Sequence, residues 1–417
     1  MQEGRLDWDG IRDVLEAVAI PEVSLVEQRF ATPPGLGDIE RAVREALEDV
    51  ELPTGSVAIG VGSRGVARIG EIVAALVAAL KEAGASPFVV PAMGSHGAST
   101  AEGQAEVLAY LGVSEAAVGC PVRATMETVE VGRTPAGIPV HLDRNAYEAD
   151  AVVVVNRVKP HTAFRGPVES GPTKMLAIGL GKRRGAHHIH RAGWENIHRT
   201  IPDAARVLVG TGKVAFGLAT VENADEEPCR IAAIPPDRFR EAEAGLLEEA
   251  KRNLPVLPFD EIDVLVVDEI GKNISGDGAD PNVTGRYPTP YAHGGPQVNR
   301  MVFLGLTQQT EGNANGVGLA DVVTERLADA INRPATYMNS LTSTVPTTVK
   351  LPMTTPTGRD AVAAALVMCA GVEPQTARVV RIRNTLAVRR MWVSEAARSE
   401  ANVELAVIEG PEPMDLD

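Results

Sequence analysis

Histidine is scarce in this chain and unevenly placed. Four of its eight histidines, His161, His187, His188 and His190, lie between residues 161 and 190. Lys174 sits in the same stretch, between "ESGPT" and "MLAIGLG". Imidazole titrates near neutral pH, so histidines at a cleft can act as a general acid–base pair. It also suits nickel, zinc, copper and iron. His187 and His190 are three apart and share a helical face, whereas His188 does not. Two histidines without a cysteine are an incomplete zinc set, so a metal here would take its other ligands from elsewhere. A lysine beside glycines reads on its own as a solvated or phosphate-binding group. "GLGKRRGA" adds Lys182, Arg183 and Arg184, a basic cluster in an acidic chain. An anionic partner accounts for it, and so does a solvated helix start.

Other polar groups recur at one kind of place. "SVAIGVG" (56–62), "SPFVVPAMG" (86–94), "DAVVVVN" (150–156) and "EIDVLVVDEI" (261–270) read as strands. At their carboxyl ends stand, in turn, "GSRG" with Arg64, "GSHGAST" with His96, "RVKPH" with Lys159 and His161, and "GKN" with Lys272. Ligands of open α/β sheets bind beyond the carboxyl ends of the strands, so four such groups point to one shared cleft. His96 lies between Gly94 and Gly97, which lets the backbone turn and leaves the imidazole uncrowded; His161 comes directly after Pro160. Gly60, Gly62 and Gly65 form a G-x-G-x-x-G pattern, but the acid expected about 20 residues on is missing. Arg64 is better explained as a clamp for a carboxylate or phosphate, which its planar fork binds bidentately.

The elements that must position these groups alternate. Helical patterns at 68–84, 100–112 and 237–253 separate the strands, "NLPVLPF" (253–259) looks like a linker, and "MVFLGL" (301–306) and a helix near 318–331 continue a second unit. The sequence therefore predicts an α/β protein of two domains with mainly parallel sheets covered by helices, and an active site in the interdomain cleft. Residues 1–255 form the domain with the catalytic groups, and 256–417 the one completing the substrate site.

Composition narrows the function. The chain of 417 residues has 44% hydrophobic and 23% charged residues and a formal net charge of −15. That argues against nucleic acid as a partner. The three cysteines, Cys120, Cys229 and Cys369, are scattered without a CxxC, which fits a reducing cytoplasm. No signal peptide and no membrane-length apolar run are expected.

The sequence resembles the lactate racemase family of nickel-pincer nucleotide enzymes. The likeness is carried by "GSRG", "GSHGAST", "KPHTAFRG", "ESGPTKMLAIGLGKRRGA" and "EIGKNISGDG", across roughly residues 50 to 280. It implies an isomerase, a racemase or epimerase of a 2-hydroxy acid that works by proton-coupled hydride transfer through a 2-keto acid. The cofactor implied is a nickel-pincer nucleotide, a pyridinium-3-thioamide-5-thiocarboxylic acid mononucleotide with Ni, tethered covalently to Lys174. The family's interval from tether to nickel ligand selects His190 over His187 and His188. His96 and His161 match the acid–base pair. Arg64 and Lys272 match substrate-binding groups, and Gly179, Gly181 and Lys182 are expected at the cofactor. The implied partners are a small 2-hydroxy acid and cofactor maturation enzymes; a homo-oligomer is compatible.

Two departures from the family's pattern stand where substrate would lie. The loop from His161 to Lys174 is about three residues longer, the scale of an ordinary loop insertion. Gly97 comes after His96 where an arginine is usual. A larger or more polar 2-hydroxy acid than lactate is expected, with Arg165, Trp194 and Arg286 as candidate contacts. Two other readings compete: an NAD-dependent 2-hydroxy acid dehydrogenase and a non-catalytic binding protein of the same fold. The missing acid and the idle Lys174 count against the first. The joint presence of Lys174, His190, His96 and His161 counts against the second.

Overall fold

A computed structural model describes residues 9–62 and 66–416. The chain divides into two compact units: Ala31–Leu254, and Met1–Phe30 with Pro255–Asp417.

The unit Ala31–Leu254 is built on a five-stranded sheet in the order Ala85–Pro91, Gly55–Val61, Ala151–Arg157, Val214–Glu222, Pro228–Ile234. The first four strands run parallel and the last pairs antiparallel. Helices cover both faces, so the central strands carry unbroken apolar runs. Successive side chains of "VVVV" alternate between two cores: Val152 and Val154 enter one, Val153 and Val155 the other. The first core also takes Leu176, Leu180, Ala186 and Ile189, so the glycine-rich stretch is bolted to the sheet by its apolar residues. Burying each of the leucines and the isoleucine is worth about 1.5–3 kcal/mol. The other core packs on the helix Ile69–Glu82 through Ile72, Leu76 and Leu80. A hairpin of Thr128–Arg133 and Pro139–Asp143 stands apart from the sheet.

The second unit carries an eight-stranded mixed sheet. Its parallel half runs Met353–Thr355, Val322–Thr324, Gln297–Phe303, Glu261–Val267, Val379–Ile382. Arg390–Ser394, Val23–Glu27 and Ala406–Glu412 complete it in antiparallel pairing. Val23–Glu27 belongs to the stretch that the sequence assigns to the first domain, yet it pairs with strands near the chain's end. The helix expected near 318–331 is instead a short 3-10 turn, the strand Val322–Thr324 and the helix Glu325–Asp329. The β-branched Val322, Val323 and Thr324 favour the strand. The described residues contain no helix long and apolar enough to cross a membrane.

Candidate active site

Strand order locates a crevice. From Gly55–Val61 the chain passes outward to Ala85–Pro91, then returns to the other flank of Gly55–Val61 as Ala151–Arg157. Connections leave in opposite directions at this pair, which opens a gap beyond their carboxyl ends. The segment 171–190 lies over that gap. It is one helical turn at Gly171–Lys174, a π-helical turn at Met175–Gly179 and a helix at Lys182–His190. A π-turn inside a helix is frequently found at functional sites. Gly60 and Gly62 allow the close approach: a Cβ on Gly60 would lie 3.2 Å from Leu180, and one on Gly62 would lie 2.8 Å from Asn156 and 3.3 Å from the Met175 sulfur.

Three of the residues singled out from sequence come together here. His161 leaves the strand Ala151–Arg157, Lys174 closes the first helical turn, and His190 ends the helix Lys182–His190. Trp194 joins the two histidines, stacked on His190 with centroids 5.7 Å apart and tilted to His161 at 6.1 Å. Phe164 packs on His161 at 4.5 Å. Burial, first, and the Lys174 charge, second, depress both imidazoles. His161 falls well below the ordinary histidine value, and His190 falls to about 4. Both are therefore neutral at pH 7, the form in which imidazole ligates a metal or accepts a proton. Nδ1 of His190 is buried with no hydrogen-bond partner among the described residues. The same holds for Nδ1 of His188 and Nε2 of His141, so the histidines of this region keep ring nitrogens without a protein partner among the described residues.

His161 is held by its own loop. Glu169 is buried and accepts from the backbone N–H of His161 at 2.8 Å and of Gly166 at 3.1 Å. Arg165 donates to the His161 carbonyl at 2.6 Å and to Glu169 at 3.3 Å. Those bonds tie Arg165 to the longer loop. Arg286 is likewise engaged within its own unit, by Asp321 at 2.6 Å and the Leu319 carbonyl at 3.0 Å.

His96 is half-buried, on the loop that follows the neighbouring strand Ala85–Pro91. Its loop is tied to the π-turn by the Gly94 N–H on the Gly179 carbonyl, 3.1 Å. Gly179 and Gly181 are close-packing positions. A Cβ on Gly179 would sit 2.5 Å from the Ala92 carbonyl oxygen, and one on Gly181 would sit 3.0 Å from Gly185 Cα. Lys182 has no exposed surface, and Nζ is spent on the Pro91 carbonyl (2.5 Å), Gln104 (3.1 Å) and Asp143 (3.0 Å). Its ammonium is thus held within the protein's own interior. Lys272, in the other unit, donates to the Gly276 carbonyl of its own turn. Arg64 lies outside the described residues.

Four further residues shape the site and are not legible as such in the sequence: Glu169, Gln104, Asp143 and Glu243. Glu243, on the helix Phe239–Asn253, is fully buried and accepts from the Thr173 N–H at 3.0 Å and the Thr173 hydroxyl at 2.5 Å. It thus holds the residue just before Lys174. Gly171 permits this, because a Cβ there would lie 2.4 Å from Glu243. A long polar-faced helix gives no sign that one of its acids turns inward.

The described residues hold no group of three or more His, Cys, Asp or Glu placed to bind a metal. Residues 44–200 match the family model of the lactate racemase N-terminal domain, a span that contains His96, His161, Lys174 and His190. No curated protein matches the chain. Among solved structures, the chain is similar to the lactate racemase apoprotein from Thermoanaerobacterium thermosaccharolyticum. Identity is 14%, covering 88% of this chain and 99% of that one, with a TM-score of 0.49.

Proposed function

We propose, from a chain whose residues 44–200 match the lactate racemase N-terminal domain, that this protein racemises or epimerises a 2-hydroxy acid. The observation that carries the reading is the gathering of Lys174, His161 and His190 over the gap between Gly55–Val61 and Ala151–Arg157. Lys174 is the covalent tether for a nickel-pincer nucleotide, and His190 is the protein's ligand to the nickel. The unpartnered, neutral His190 suits that role. A two-histidine set lacking cysteine suits a metal whose other donors come from a bound group.

The chemistry asks for two kinds of group. The Cα proton of a 2-hydroxy acid is very weakly acidic, so inversion by simple deprotonation is slow. When bound, the cofactor supplies a hydride acceptor, which no protein side chain can. The protein's own residues handle the proton. His96 and His161 each exchange it with the substrate hydroxyl, one for each enantiomer. Arg64 is assigned to the substrate carboxylate, and Lys272 is assigned a further substrate contact. Trp194 and Phe164 cover His161 and limit water beside it.

The test is the intact mass of protein co-expressed with nickel-pincer maturation enzymes, with peptide mapping and metal analysis. A nucleotide-sized adduct on the Lys174 peptide and near-stoichiometric nickel are expected. An unmodified Lys174 peptide without nickel, where a control homologue is loaded, overturns the reading in favour of a dehydrogenase or binding protein.

A further inference from the structure

His96 stands on a tight loop that is bonded within itself, by the Ser99 hydroxyl on the Ser95 carbonyl (2.9 Å) and the His96 N–H on the Met93 carbonyl (3.1 Å). Gly94, Gly97 and Ser99 all have left-handed backbone, at φ +59°, +61° and +60°. Such positions are permissive at glycine and strained at serine, so contacts from outside add to the loop's own bonds in fixing where His96 stands. Gln104 supplies them. It lies on the helix Ala101–Tyr110 with no exposed surface, and its Nε2 donates to the carbonyls of Gly94 (2.9 Å) and His96 (3.3 Å). Its Oε1 accepts from Lys182 Nζ. An amide can be flipped, but only this orientation serves the two carbonyls and the ammonium together.

Lys182 is fixed in turn. It begins the helix that ends at His190 and takes the left-handed conformation itself, at φ +53°. Asp143 faces its ammonium at 3.0 Å, and neither side chain is exposed. Asp143 also accepts from the Ala146 N–H and donates its own N–H to the Leu180 carbonyl. Two opposed tendencies meet in this pair. Burial pushes Asp143 up and Lys182 down, and each is countered by the other's charge. A buried pair of this kind costs as much to desolvate as it gains, so stability alone does not explain it.

We propose that Gln104 is a positioning residue for His96, locked by the buried Lys182–Asp143 pair. The helix bearing His190 and the loop bearing His96 are thereby set by one hydrogen-bonded chain. The inference rests on the reading of His96 as an acid–base residue for its catalytic consequence, but its structural half stands independently.

The experiment compares wild type with Gln104→Met, and with the double variant Lys182→Met/Asp143→Leu. The double variant removes both charges together and so leaves no unpaired buried ion. The first readout is the rate at which diethyl pyrocarbonate modifies His96 in the cofactor-free protein, by peptide mass, with exposed His187 as internal reference. Both variants are expected to change the His96 rate several-fold and leave His187 unchanged. The second is the loaded Gln104→Met enzyme: kcat falls by roughly tenfold to a hundredfold while KM and nickel content hold, as expected for a misplaced reacting group. Unchanged His96 reactivity in Gln104→Met overturns the proposal. A change in that variant but not in the double variant overturns the part given to Lys182–Asp143. If His96 responds while loaded wild type shows no activity on 2-hydroxy acids, the functional reading fails and the positioning stands. If Gln104→Met does not fold, the double variant alone decides, because it releases Gln104 Oε1 without touching the loop.

Discussion

The backbone N–H of Ala163 donates to Nδ1 of His161 across 3.0 Å. An amide nitrogen can only donate, so this Nδ1 carries the lone pair. The neutral ring therefore has its proton on Nε2. To take a proton in the role proposed for it, His161 first gives up the Ala163 contact, so the acid–base step includes that release. Nitrogen-15 NMR of the cofactor-free protein is expected to show the Nε2–H tautomer for His161. An Nδ1–H tautomer would contradict the bond and make His161 a ready base.

Lys174 sets the charge felt by both half-buried histidines. After burial it is the largest cause of depression at His161 and at His190. Lys174→Ala removes a positive neighbour that disfavours the imidazolium, so both midpoints move up, towards the ordinary value near 6.5. A titration of the cofactor-free variant by NMR checks this. Midpoints that stay in place would mean that Lys174 points away from the two rings.

Some of this site is legible in sequence and some is not, for physical reasons. The run Val152–Val155 announces a strand because a sheet covered on both faces demands apolar residues throughout. His96 and His161 stand out because polar groups after strands are few, and Lys174 because it lies in the stretch where histidines and glycines crowd. Lys182 misleads: beside Arg183 and Arg184 it reads as one of three basic residues facing an anion. Arg183 and Arg184 are exposed, but Lys182 turns into the interior, where Asp143 waits across the fold. Nothing local distinguishes the three. Gln104, Glu169 and Glu243 are hidden for the same reason, since an inward amide or acid looks like an outward one until its partner is known. The strand Ala406–Glu412 is hidden differently: its glycine, proline and glutamates have low strand propensity, and pairing with Val23–Glu27 overrides it.

Trp194 is four residues beyond His190 and lies nearly parallel to its ring, 22° and 5.7 Å. A flat neighbour restricts rotation of the imidazole, as supporting groups do for metal-ligating histidines. Trp194→Phe keeps a ring and is expected to keep nickel. Trp194→Ala is expected to lower the nickel-to-protein ratio in co-expressed protein by roughly tenfold or more in affinity. Equal nickel in both variants would limit Trp194 to packing.

Glu243 makes a prediction about stability and pH. Burial raises its carboxyl to about 8, against which the Thr173 bonds act. The folded state therefore keeps a proton that the unfolded state has lost between the ordinary carboxyl value and about pH 8. Fewer protons bound on unfolding means that stability falls as pH rises through this window, by about 1.4 kcal/mol per pH unit. His190 works the other way. Its folded value of about 4 lies below the unfolded one, so its contribution falls as pH drops from about 6.5 towards 4. Comparing Glu243→Gln with wild type isolates the first effect, because His190 is common to both. The glutamine keeps an acceptor for Thr173 and cannot ionise. Its thermal midpoint relative to wild type should rise steadily from pH 5 to pH 8. Parallel curves would mean that Glu243 is ionised in the folded protein, with its charge carried by the Thr173 bonds alone.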